Sequence, residues 1–451
     1  MLSVRRCDVI VVLMLALMSP AHAAVAPADA ARLGTTLTPM GAERAGNADG
    51  SIPAWTGGTT AAAQGAGPRP DRFAAERPLL SITASNLPRY ADRLPEGAKA
   101  LFAKYRDYRI DVYPTHRTAS APPAVYAATL RNATSARAAP EGITSGIEGA
   151  AGGIPFPIPQ DGGEAVWNHV LAFWGAARET RLSTYVVFGA QPPELTDDRR
   201  EVVDFPYYYP NATPATIGHY YLEQREMTVG PPESAGDAYV ALQPINVART
   251  RFDAWQYLPG QRRVRRSPSL SYDTPEPSAS GLESFDDYYI FSGGLDHYRY
   301  TLLGKREMYV PYNNNRLLNL PAADLLTPHV ANPGALRYEL HRVWVVDATL
   351  APGKQDIVPH RTLYLDEDTW FALYADAWDR EGRLWKFSQA SMVCIRELPA
   401  VVLGPQLVYD LQYGAYVYDF AFDGAPDGYR VTPPHPATTF TPEGLAAAGT
   451  R

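Results

Sequence analysis

The spacing of apolar positions changes once along the chain. Before Tyr185 the clearest pattern has the period of a helix; beyond it, short runs have the period of strands. Leu94, Ala98, Leu101, Phe102 and Tyr105 stand at i, i+4, i+7, i+8 and i+11, which predicts a helix over 94–109 with one apolar face. Pro95 suits its first turn, where a missing N–H costs little. A second amphipathic helix is predicted at 164–177, after three closely spaced prolines, with Asp161 as its N-cap. It carries Val166, Trp167, Val170, Leu171 and Trp174. A helical turn is expected at 30–33 with Asp29 as N-cap, and 41–58 reads as an ordered loop wrapping the domain. Residues 59–70 read as a flexible linker.

From Tyr185 the predicted strands are 185–188, 217–222, 251–258, 298–303, 339–350, 361–365, 370–377, 384–387 and 409–420. Leu258-Pro-Gly-Gln261 and Asp366-Glu-Asp-Thr369 read as hairpin connections, and 379–382 as a further turn. Successive hairpins build an antiparallel meander. In 339–350, Val343, Val345 and Asp347 share one face and Arg342, Trp344 and Val346 the other. Bulky apolar groups on both faces fit a strand covered twice or one that walls a cavity. The expected class is therefore β-rich α+β, a large curved antiparallel sheet with covering helices and long wrapping loops.

Composition agrees. Forty-one prolines and 28 tyrosines in 451 residues favour strands joined by ordered loops. The start is a separate matter. Arg5 and Arg6, an apolar run over 9–18 and Ala21-His-Ala23 form the tripartite pattern of a cleavable export signal, with cleavage expected after Ala23. Its apolar run is too short to span a bilayer, and no lipid-anchor cysteine follows it. The remainder is expected to divide into a loop and helical wrap at 24–110, a β domain at 111–430 and a tail at 431–451. With Cys7 removed, Cys394 is the remaining cysteine; its apolar surroundings predict a buried thiol.

The net charge of −7 argues against nucleic acid and against broad adhesion to anionic lipid. No further apolar run reaches membrane length, so no transmembrane segment is expected in the exported chain. Metal-protease, nucleophile-elbow, P-loop and dinucleotide motifs are missing, and no cofactor is expected. Asp366-Glu367-Asp368 is the best carboxylate cluster; as a turn it reads as solvated rather than as a cation site. His341 and His360, with His297 or Asp347, are a weaker metal or acid–base grouping. Arg262, Arg263, Arg265 and Arg266 follow a hairpin turn. They would grip an anionic headgroup or partner, or guard an edge strand. Trp167, Trp174, Trp255, Trp344 and Trp370 lie in or beside predicted elements. They are the candidate walls of an apolar ligand cavity, with Trp378 and Trp385 nearby.

Several segments carry a resemblance. Gly41-Ala-Glu-Arg-Ala-Gly-Asn-Ala-Asp-Gly-Ser-Ile-Pro-Ala-Trp-Thr-Gly-Gly58, Asp111-Val-Tyr-Pro-Thr-His-Arg117 and Gly152-Gly-Ile-Pro-Phe-Pro-Ile-Pro159 are three of them. The others are Trp167-Asn-His169, residues Tyr338 to Leu350 and Tyr364-Leu-Asp-Glu-Asp-Thr-Trp370. Together they resemble the family of domain of unknown function 1329. The resemblance implies a periplasmic protein of Gram-negative bacteria, folded like the lipoprotein carriers LolA and LolB as a half-open barrel. It implies a lipophilic ligand and, as partners, an RND-type inner-membrane transporter and an outer-membrane protein. It carries over no catalytic residue. The function expected is a periplasmic carrier of lipophilic molecules; the alternatives are a hydrolase or lyase with a dispersed site and a passive subunit of a transport complex.

Overall fold

The computed structural model describes residues 25–60, 69–267, 272–423 and 428–449; the expected export signal lies outside them. The chain runs through β1 (Leu80–Ile82), β2 (Ile110–Val112), β3 (Arg137–Ala139), β4 (Gly142–Glu148), β5 (Ala177–Phe188) and β6 (Glu194–Asp204). It continues through β7 (Tyr220–Gly230), β8 (Ala238–Pro244), β9 (Asp253–Leu258), β10 (Arg263–Arg266), β11 (Tyr298–Pro311) and β12 (Tyr338–Leu350). Last come β13 (His360–Asp366), β14 (Ala372–Trp378), β15 (Leu384–Ile395), β16 (Ala400–Asp410), β17 (Ala415–Ala421) and β18 (Tyr429–Val431).

All but β3 and β4 join one sheet of 16 strands, in the order β1-β2-β12-β13-β14-β15-β16-β17-β5-β6-β7-β8-β9-β10, with β11 on β12 and β18 on β5. The pairing is antiparallel except for one parallel bridge between Val112 and Tyr338. The path ends on β1 and β10 without returning on itself, so this is a half-open curved sheet rather than a closed barrel. One large apolar core takes residues from both faces of the central strands, where β14 to β17 are buried at almost every position. Both expected hairpins are present, β9 to β10 and β13 to β14.

The helices correct the sequence reading in detail. The first expected helix is α2 below, at Glu96–Lys104; Tyr105 is already extended. In chain order the helices are α1 (Pro27–Ala30), α2 (Glu96–Lys104), α3 (Pro123–Ser135), α4 (Gly162–Val170), α5 (Ala322–Leu325) and α6 (Pro442–Gly449). α4 starts where expected, with Asp161 accepting from the Glu164 N–H at 2.9 Å, but stops at Val170 rather than 177. Gly175, at φ +89°, turns the chain into β5 at Ala177. α1 begins before Asp29, which sits in its first turn and is not the N-cap. α3 has no counterpart among the expected helices; Val125, Ala128, Asn132 and Ala133 bury one of its faces. Its start is set by Pro123, in the position where helices tolerate proline.

Two strand expectations also change. The run 409–420 is two strands, because Asp410 Oδ1 accepts the N–H groups of Gln412 and Tyr413 and Gly414 takes φ +83°. β6 escaped notice because its inward face is charged: Asp197, Arg199 and Glu201 alternate with outward residues and are all buried.

The N-terminal loop is an ordered wrap, as its sequence suggests. Trp55 Nε1 donates to the Ala119 carbonyl at 2.9 Å, and Trp370 Nε1 to the Met40 carbonyl at 2.7 Å. The linker expected at 59–70 falls mostly outside the described residues; Arg69 at its far end is buried and bonds Glu397 at 2.8 Å. The wrap also overturns the solvated-turn reading of Asp366-Glu367-Asp368. All three are buried, because the loop lies over the turn, donating its Glu43 N–H to Glu367, and cations from the segment after β2 and from β11 pair with the carboxylates. Arg117 bonds both Asp368 oxygens at 2.6 and 2.9 Å while also donating to the Glu43 carbonyl at 2.8 Å; Lys305 bonds Glu367.

Arg117 therefore joins the wrap to the sheet. Replacing it leaves a buried, unpaired Asp368, a change that typically costs about 3–5 kcal/mol. Arg117→Met is expected to lower the unfolding free energy by that much, and Arg117→Met with Asp368→Leu to recover much of it; urea denaturation of the three proteins followed by fluorescence checks this.

Candidate functional site

Five stretches of chain meet around a cavity of about 320 Å³. β7 and β8 supply Leu222, Gln224, Tyr239, Ala241 and Gln243, alternate residues that face one side of the sheet. The end of α4 and the segment after it supply His169, Val170 and Trp174. The loop between β8 and β9 gives Val247, Arg251 and Phe252. The segment before β11 gives Phe285, Tyr288, Tyr289, Phe291 and Ser292 to Gly294. Phe205 and Tyr221 complete the deep end.

The wall is built of rings packed on rings. Trp174 meets Phe371 at 4.8 Å, Tyr289 at 5.0 Å and Phe205 at 6.3 Å between centroids. The Arg178 guanidinium lies 4.5 Å from the Trp174 ring, on the sheet beneath it. Such stacking holds a cation where water is scarce.

Below the rings runs a layer of buried polar pairs. Glu201 accepts from Thr180 at 2.7 Å, Gln224 at 3.1 Å and Tyr289 at 3.2 Å. Arg199 bonds Thr184 at 2.7 Å and Asp197 and Asp419 at 3.0 Å. Burial, against the pull of Arg199 and helped by the charge on Glu201, raises Glu226 to about 8, so it holds a proton at neutral pH. Most of these contacts run within the sheet, beneath the rings, and the cavity above them keeps a chiefly aromatic wall.

His169 shows the same economy. Its Nδ1 accepts from the Ala372 N–H at 3.0 Å and its Nε2 donates to the Phe291 carbonyl at 2.8 Å. Both nitrogens are engaged and the tautomer is fixed. Burial pushes its pKa down to about 4. It is therefore a neutral strut between α4, β14 and the cavity segment, with no free lone pair for proton transfer.

The other sequence-selected residues are spread out. Of the five tryptophans, Trp174 lines the cavity. Trp167 stands behind the wall, donating to the Ile143 carbonyl at 2.6 Å with its ring edge-on to Tyr221. Trp344 and Trp370 stack on each other at 6.1 Å beneath the N-terminal wrap. Trp255 packs toward α6 with Tyr257 and Leu445. Trp378 stacks on His360, and Trp385 donates to Asp410. Arg262, Arg263, Arg265 and Arg266 lie on the exposed edge hairpin at the end of the sheet path, where Arg266 pairs with Asp253. That is the position of a charge-guarded edge.

His341 and His360 are not brought together. His360 bonds Asp347 at 2.7 Å, His297 bonds Asp356 at 3.4 Å, and His341 stacks on Tyr312 at 3.9 Å. His341 instead converges with Asp366 and Asp368, each offering one ligand-type atom within 4.8 Å of the others. A cation could be held by this set, and Arg117 already supplies one by bonding both Asp368 oxygens. Cys394 is buried. The residues that the sequence reading missed are Arg251 and the run Tyr288-Tyr289-Ile-Phe-Ser-Gly-Gly294. Four apolar residues followed by two glycines, outside any strand period, were the available signal.

Comparison with known proteins bears on the family. The profile of the family described as protein of unknown function DUF1329 matches residues 81–446. An uncharacterized protein of Pseudomonas aeruginosa is 38% identical over 430 residues, covering 90% of this chain and 92% of its own. A DUF1329 family protein from Desulfovibrio piger is similar in crystal structure, with TM-score 0.41, 14% identity, and coverage of 60% of this chain and 92% of that one. A LolA superfamily protein from Nitrosomonas europaea gives TM-score 0.35 and 14% identity, covering 60% of this chain and 92% of that one.

The pinned neutrality of His169 has a pH signature. Its folded-state pKa lies below the ordinary 6.5, so its contribution to stability is full above pH 6.5 and is lost as pH falls toward 4. A shift of this size corresponds to about 3 kcal/mol. Urea midpoints at pH 7.5 and 4.5 are expected to differ less for His169→Gln than for the unaltered protein.

Proposed function

The chain belongs to the DUF1329 family, and from that premise we propose that it is a periplasmic carrier that holds one lipophilic molecule in the cavity beside Trp174. The observation that carries this reading is the cavity itself. Ligand sites are concave, mostly apolar and about 300–1,000 Å³ in volume. This one stands at the lower end of that range and is walled chiefly by aromatic side chains. A compact ring system or a single short chain fits such a volume. Export to the periplasm is supported by the signal pattern of residues 1–23, and a carrier there would pass its cargo between membrane proteins. The RND-type transporter and outer-membrane protein implied by the family resemblance are the proposed partners.

Binding is favoured over catalysis by one specific feature. The histidine and two other polar side chains of the lining are engaged within the protein: His169 on two backbone groups, Gln224 on Glu201, Tyr289 on Glu201 and Arg178. General acid–base chemistry needs a group within reach of the substrate and free to exchange its proton.

Filling the space tests the reading without removing a wall. Ala241 faces the cavity from β8. Ala241→Phe is expected to weaken binding of a fluorescent fatty-acid analogue at least ~10-fold while keeping the unfolding free energy from urea denaturation within about 1 kcal/mol, since the added ring enters open space rather than packed core. Unchanged binding in a stable variant would place the ligand elsewhere.

A further inference from the structure

The charges on the cavity wall are lopsided. Among the described residues, the lining contains no aspartate and no glutamate, although the chain has 48 acidic residues. His169 is neutral and pinned at the deep end. Among the described residues of the lining, Arg251 is the one whose side chain carries a permanent charge.

Its position is set by its neighbours. The loop before it is anchored to β4: Val247 N–H donates to the Ser145 carbonyl at 2.8 Å, and a Cβ on Gly146 would meet Asn246 at 2.8 Å. Asn246 Oδ1 then accepts from the N–H groups of Ala248 and Arg249 at 3.0 and 3.1 Å, and its carbonyl accepts from Thr250 at 2.9 Å. This tight turn delivers Arg249 and Arg251 to different fates. Arg249 spends its guanidinium on Glu141 at 2.8 Å and Glu148 at 3.0 Å. Arg251 forms no ion pair with any described residue; it is exposed, beside half-buried Phe252 and Val247, while Trp174, Phe205, Tyr221 and Phe291 are buried. The site is thus a polarised slot, with rings at depth and one unspent cation at its mouth.

We propose that the ligand is an anionic amphiphile, its chain or ring system among the aromatic side chains and its headgroup oxygens on Arg251. This rests on the reading of the cavity as the ligand site. A guanidinium matches a carboxylate or phosphate in two parallel hydrogen bonds, so either headgroup satisfies the chemistry. A neutral lipophile of the same shape gains nothing from Arg251.

The experiment compares three ligands of one chain length, decanoate, decyl phosphate and decanol, by isothermal titration calorimetry at pH 8 in low salt with the full exported chain. The expected result is binding of at least one anion about 10-fold tighter than decanol, about 1.4 kcal/mol. That preference should shrink in Arg251→Gln, persist in Arg251→Lys and narrow at 0.5 M NaCl, because an exposed charge is screened. Tighter binding of decyl phosphate assigns a phospholipid-type headgroup; tighter binding of decanoate assigns a fatty acid. Equal binding of all three by the unaltered protein would overturn the headgroup inference and leave the carrier reading intact. A preference undiminished in Arg251→Gln would overturn the role of Arg251. Binding of none of them at millimolar concentration would overturn the inference and the carrier reading with it.

Discussion

Bending a sheet without closing it leaves a concave face that backbone pairing cannot cover. Everything else in this protein answers that constraint. The face is covered by non-sheet chain, namely α4 and its following segment, the run before β11 and the N-terminal loop. Such a cover has no ladder of hydrogen bonds to hold it, so it is pegged by side chains. Trp370 grips the Met40 carbonyl, Arg117 ties the loop to Asp368, and His169 bridges Phe291 and Ala372. Each peg is buried, where an unmade bond is costly, and that cost fixes the cover in one place.

The same constraint explains why a cavity survives beside an otherwise filled core. The sheet face under β5 to β7 carries Arg178, Arg199, Glu201 and Glu226, with Arg178 paired to Glu201 and Arg199 to Asp419. The aromatic groups above it are held by one another and by Arg178. Rings locked edge to face cannot slump into the gap as aliphatic chains could. Paired charges below and packed rings above hold the cavity open, which is what a binder of lipophiles needs.

Much of the framework was legible in the sequence. Period-2 runs and turn residues located β12 to β15 and both hairpins, and the loop 41–58 announced its order by holding Ile52 and Trp55 among glycines. What was not legible has physical causes. β6 reads as polar because its inward residues are Asp197, Arg199 and Glu201, whose charges are met within the strand, by Arg178 on β5 and by Asp419 on β17. Asp366 to Asp368 read as solvated because the chain that buries them comes from some 250 to 320 residues earlier. The tryptophans were sound as core residues, but their number could not say which one faces a cavity; that depended on where α4 stops. Arg251 carried no local signal, since its role comes from the loop that aims it and from Arg249 taking the nearby carboxylates.

Native mass spectrometry of the protein isolated from the periplasm, followed by extraction of whatever it carries, tests the carrier reading most directly. The mass of the folded chain is expected to exceed that of the denatured chain by one small lipophilic molecule, recovered on extraction. Identical masses, together with no uptake of added fatty-acid or sterol probes, would contradict a carrier and leave the cavity without a cargo.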